Sequence, residues 1–182
     1  MRTTLIAGIL AASLIAGCSA ANTPSTPEVN ASPAMDPFLP TEVAGISLGL
    51  ATAAPAYYAS PPPVPPDATS PDVWVTILSG IGKSWADLRF VGKAESETEG
   101  LGIYATQVRG AVSPEAFLDA YEDAMGTTDW RPKVTFEHRT AAGREVLVST
   151  IGVLYVYAVD GVLYEISAPS SALAEQALAT LP

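Results

Sequence analysis

Val153-Leu154-Tyr155-Val156-Tyr157-Ala158-Val159-Asp160-Gly161-Val162-Leu163-Tyr164-Glu165-Ile166-Ser167-Ala168 is the stretch on which the fold turns. Its two halves are rich in β-branched and aromatic residues, which suit a pleated surface. Asp160-Gly161 between them meets the demand of a two-residue turn, in which both central residues take positive φ. The register follows: Tyr157 faces Tyr164, Tyr155 faces Ile166 and Val159 faces Val162. Leu154, Val156, Ala158 and Leu163 line the reverse side together with Glu165. Both sides are largely apolar, unlike a strand pair with one wet face. One side must lie under helices. The other must meet residues 41–66, another subunit or an apolar ligand. Tyrosine suits such half-wet surfaces, because the ring packs while the hydroxyl finds a partner. Tyr155, Tyr157, Tyr164 and Ile166 are therefore the candidate apolar binding or interface surface. The plainer alternative makes both sides core, with the proline-rich segment as a lid.

Working outward, Pro169-Ser170-Ser171 opens a last helix with Leu173, Ala177, Leu178 and Leu181 facing inward. Upstream, Val134–Arg139 and Arg144–Thr150 read as strands joined by a turn at Thr140-Ala141-Ala142-Gly143. Ser113-Pro114-Glu115 caps a helix whose stripe is Phe117, Leu118, Tyr121 and Met125, ending at Gly126. Leu88 and Phe90 alternate with charged residues, and the acidic loop Glu95–Gly100 leads into a strand at Leu101–Val108. Ser70-Pro71-Asp72 signals another helix start, with Trp74, Ile77, Leu78 and Ile81 at helical spacing before Gly82. Val43–Leu50 reads as the first strand. The sum is an α+β fold, a mostly antiparallel curved sheet of about six or seven strands with about three helices on one face. A hairpin followed by a Ser-capped helix occurs at 87–125 and again at 153–181, suggesting a ββα duplication.

Residues 41–182 make one domain's worth of chain. Within it, 54–71 is a proline-rich loop containing Tyr57-Tyr58 and Pro61-Pro62-Pro63-Val64-Pro65-Pro66. Such a run is stiff and lacks donors. Residues 18–40, rich in Ala, Pro, Ser and Thr, bury too little surface to order themselves and read as a tether. In polyproline geometry it would reach about 70 Å. Acids outnumber bases 19 to 9, giving a net charge of −10. That balance argues against binding a nucleic-acid backbone or an anionic membrane through bulk charge.

At the N-terminus, Met1-Arg2-Thr3-Thr4 is a short positive start, and Leu5–Ala16 is almost uninterruptedly apolar. The apolar run is too short to span a bilayer, which needs about 20 residues. Leu14-Ile15-Ala16-Gly17 then precedes Cys18, the single cysteine of the chain. This is the layout of a secretory signal, and its end resembles the lipobox of bacterial lipoproteins. The resemblance implies a signal peptide over 1–17, cleavage before Cys18, and acylation of Cys18. The chain would then face the extracytoplasmic side, lipid-anchored in the cell membrane or the outer membrane. The remainder is similar to small secreted α+β proteins of bacteria with no assigned activity. That likeness rests on Ile81-Gly82-Lys83-Ser84 to Asp87, the Tyr155–Tyr164 hairpin, and Ala177-Leu178-Ala179-Thr180-Leu181-Pro182. It implies a fold and no reaction.

Catalytic motifs are poorly supplied. Gly80-Ile81-Gly82-Lys83-Ser84 looks like the end of a phosphate-binding loop, but position 77, where the motif needs its first glycine, is Ile. His138 is the sole histidine and would sit mid-strand, away from any sharp turn presenting a serine. One histidine and one cysteine cannot build a zinc site, and no calcium-loop spacing is present. Glu115, Asp119, Glu122 and Asp123 share a helix and read as its solvated face. The expectation is an anchored, non-catalytic binding or envelope-interaction module with no cofactor and no resident metal. Its partners would be the membrane, through acylated Cys18, and an envelope protein. The alternative is a carrier of an apolar small molecule. The least favoured reading is a hydrolase built on acids alone, which needs two converging carboxylates.

Overall fold

In the computed structural model, residues 38–53, 73–127 and 134–182 are described. The expected signal peptide, Cys18, most of the tether, the proline-rich loop and the Ser70-Pro71-Asp72 cap lie outside them. Phe38 and Leu39, assigned to the tether by composition, belong to the core, where Leu39 is buried.

The described residues open with a two-stranded ribbon, β1 (Glu42–Val43) and β2 (Ile46–Ser47), turned by Ala44-Gly45 at φ 53° and 81°. The single strand expected over Val43–Leu50 is thus split, because both turn residues take the left-handed conformation. A seven-stranded open sheet follows in the order β3-β4-β5-β9-β8-β7-β6, antiparallel throughout. Its strands are β3 (Gly49–Ala53), β4 (Leu88–Glu95), β5 (Gly102–Val108), β6 (Phe136–Ala141), β7 (Arg144–Ser149), β8 (Leu154–Val159) and β9 (Val162–Ser167). The α-helices among the described residues are α1 (Val73–Gly80), α2 (Pro114–Thr127) and α3 (Ser171–Thr180).

The α+β class and the antiparallel sheet match the sequence reading, but the helices occupy both faces. Leu147, Val156, Ala158 and Leu163 point toward α2, joining Phe117, Leu118, Tyr121 and Met125. Tyr155, Val162, Tyr164 and Ile166 point the other way, toward Ala174, Ala177 and Leu178 of α3, Val43 of the ribbon and Leu48 just after it. A sheet apolar on both sides needs a layer on each, and α3 supplies the second.

This arrangement bears on the duplication. Half a turn about the sheet normal between β5 and β9 superposes β4–β5 on β8–β9 and leaves α2 on its own face. α3 sits on the opposite face. The ββα order recurs, yet its two copies have opposite hand, which a duplicated unit would not.

Local signals explain the element ends. Ser113 Oγ accepts from Ala116 N at 3.1 Å at the start of α2, and Ser170 Oγ accepts from Leu173 N at 3.3 Å at the start of α3. α2 runs through Gly126 instead of stopping there. α1 packs on α2 with Gly80 against Ala120, where a β-carbon on Gly80 would lie 2.9 Å from that of Ala120. Only a glycine allows that approach.

Candidate binding surface

The hairpin register is the one expected, with Tyr157 opposite Tyr164 and Tyr155 opposite Ile166. Its role as an open surface is not. Tyr155, Tyr164 and Ile166 are buried, the last two at 0% exposure, under α3 and the ribbon. They form a wall of the core because α3 folds onto the tyrosine face.

Tyr157 alone of the four reaches the margin. Its ring stacks on Tyr164 with centroids 6.1 Å apart, and the Arg144 guanidinium lies 4.8 Å over it. Arg144 also donates to the carbonyl oxygens of Leu181 at 2.6 Å and Pro182 at 2.7 Å, and the Tyr157 hydroxyl donates to Pro182 O at 3.2 Å. Together these groups fasten the segment after α3 to the sheet. The Tyr164 hydroxyl has no hydrogen-bond partner among the described residues, and burial pushes its ionisation well above the ordinary phenol value.

On the α2 face, Glu165 projects from β9 among apolar neighbours. The Tyr121 hydroxyl donates to its Oε1 at 2.6 Å. Burial raises the carboxyl above its usual range, and the Tyr121 hydrogen bond offsets this in part. The clue in the sequence was an acid inside an apolar strand, matched by a tyrosine in the stripe of α2. Its cross-strand neighbours are Tyr104 and Val156, so neither adjacent strand sets a second carboxylate opposite it.

The remaining motifs resolve into structure. Ser84 N and Oγ both donate to Asp87 Oδ2, at 2.8 and 2.9 Å, capping a short 3-10 turn over Trp85–Asp87. The Gly-Lys-Ser run is thus occupied as a turn cap. His138 is exposed between Glu122 Oε2 at 3.1 Å and Glu145 Oε1 at 3.5 Å, and its pKa is raised chiefly by the Glu122 hydrogen bond. It ties β6 to α2 and β7. Among the helix acids, Glu115, Asp119 and Asp123 are exposed. No cluster of metal-ligating side chains occurs among the described residues, and no helix among them is long and apolar enough to cross a membrane.

What stays open is the β3–β5 side of the sheet. On the α2 face one cross-strand row runs Ala51, Lys93, Tyr104, Glu165, Val156, Leu147, His138. α2 packs on the β7–β8 end of that row. At the other end Tyr104 is 40% exposed and Lys93 pairs with Glu95. Leu50, on the opposite face of β3, is 38% exposed. An open groove of about 480 Å³ wraps the edge, lined by Ser47, Leu50, Ala51, Lys93, Glu95 and Glu97. Sequence reasoning missed this surface because each strand of the trio reads as ordinary. It arises only from where α2 lands.

No family model, curated protein or solved structure matches the chain.

Proposed function

We propose that the protein is a lipid-anchored extracytoplasmic module that acts by contact rather than catalysis, through the open β3–β5 side of its sheet. The observation that carries this reading is the exposure of Tyr104 on β5 and Leu50 on β3. They are large apolar side chains left in water on the two faces of the same side of the sheet, with β4 between their strands. A partly exposed tyrosine beside the neutralised Lys93–Glu95 ion pair resembles the make-up of protein interfaces. The lipobox-like Leu14–Cys18 supports the anchor. The carrier alternative loses its tyrosine wall, since those side chains are spent on α3.

Two measurements test the proposal. Cys18→Ala should move the protein out of the membrane pellet or stall its processing, whereas normal cleavage with unchanged retention overturns the anchor. A photocrosslinking amino acid at position 104 should give a discrete adduct in the cells that make the protein, and one at Asp119 should not. Equal adducts at both positions, or none at either, overturn the surface.

A further inference from the structure

The two edges of the sheet are built differently. β6, at one edge, carries Glu137, His138 and Arg139, all exposed, with Glu137 and Arg139 paired. Charges of this kind discourage strand addition. β3, at the other edge, reads Gly49-Leu50-Ala51-Thr52-Ala53, with no charge along its length. All five residues pair with β4 on the inner side. Among the described residues no strand pairs with the outer side. Such an edge offers a row of unpaired backbone groups to another strand.

We propose that a second copy of this chain fills that edge. Two β3 strands pair antiparallel about a two-fold axis at Ala51 and join two seven-stranded sheets into one. Three observations select this occupant. A strand can pair antiparallel with its own copy about a two-fold axis, and β3 is an edge with no partner strand on its outer side among the described residues. With a net charge of −10, copies repel over most of their surface, and β3 with the neutralised Lys93–Glu95 pair behind it is where they meet with least repulsion. The acidic residues Glu95, Glu97 and Glu99 all sit at the Gly49 end of β3. Antiparallel pairing sends the two acidic loops to opposite ends of the joint, whereas parallel pairing would set them side by side. Leu50 of each copy is then covered at the seam. The inference deepens the contact reading above and rests on it, because a membrane tether confines copies to the same surface.

The test uses the full acylated chain in its membrane. The two-fold axis places the β-carbons of the two Ala51 residues about 5 Å apart, close enough for a disulfide to form with small adjustments. Ala51→Cys should give a disulfide-linked dimer under mild oxidation, while Arg139→Cys on the guarded edge and the unsubstituted chain should not. Leu50→Lys added to Ala51→Cys should abolish the dimer band. A second reading needs no substitution: the mass of the purified particle in mild detergent should correspond to two chains. A single chain per particle overturns the proposal, as do equal dimer bands at positions 51 and 139 or no band at 51. If the position-104 adduct persists while the Ala51→Cys band is missing, self-pairing falls and the contact reading stands.

Discussion

At the scale of a single residue, Tyr164 is the most instructive. Its ring lies at 0% exposure between β5 and β8, yet its hydroxyl has no partner among the described residues. A buried, unsatisfied hydroxyl costs about 1–3 kcal/mol, whereas the ring contributes packing and the stack on Tyr157. Tyr164→Phe should therefore raise stability by about 1 kcal/mol or more, read as a higher urea midpoint with unchanged slope. Tyr164→Ala should lower it by about 3–5 kcal/mol. A destabilised Phe variant would falsify the orphan assignment and reveal a hidden partner for the hydroxyl. The pairing of Tyr164 with Tyr157 could be read from the Asp160-Gly161 turn alone, because turn type fixes register. Its burial could not, because tyrosine is equally at home in core and at interfaces, and the deciding fact is the position of α3.

At the scale of elements, the turns were the most legible features and the helix faces the least. Asp160-Gly161 takes φ 48° and 74°, as its sequence demands. Ala142-Gly143 makes the same kind of turn at φ 49° and 75°, but with an alanine in the left-handed position. The sequence blurred this into a four-residue turn, since alanine carries no signal for positive φ. A left-handed alanine is strained by about 1 kcal/mol, and asparagine tolerates that region and is favoured before glycine in such turns. Ala142→Asn should stabilise the protein by about 0.5–1 kcal/mol, measured by thermal or urea unfolding. No gain would mean that the exposed β6–β7 turn is already relaxed. Helix faces stayed hidden for a different reason. The stripes of α2 and α3 say which side of each helix is buried, but a sheet apolar on both sides accepts either helix on either face.

At the scale of the whole molecule, the question is how an acidic chain balances its charges with pH. His138 and Glu165 both bind a proton more tightly when folded, the first through Glu122 and Glu145, the second through burial. For a raised pKa, the contribution to stability is complete below the unfolded value, 6.5 for His138 and 4.5 for Glu165, and is lost as pH climbs through the folded value. Asp87 runs the other way: Ser84 lowers its pKa, so its contribution holds above 3.8 and is lost as pH falls. The three together place maximum stability on the mildly acidic side of neutrality, with a decline toward alkaline pH that growing negative charge reinforces. Glu165 can contribute a slope of at most about 1.4 kcal/mol per pH unit. The His138 share is the smaller because its imidazole is half exposed and screened by salt. Urea unfolding at about pH 5.5, 7 and 8.5 should show the decline. His138→Gln combined with Glu165→Gln should flatten it, and His138→Gln alone should lose its effect in high salt. A slope that survives the double substitution would assign the decline to the diffuse charge of the acidic surface instead of these two sites.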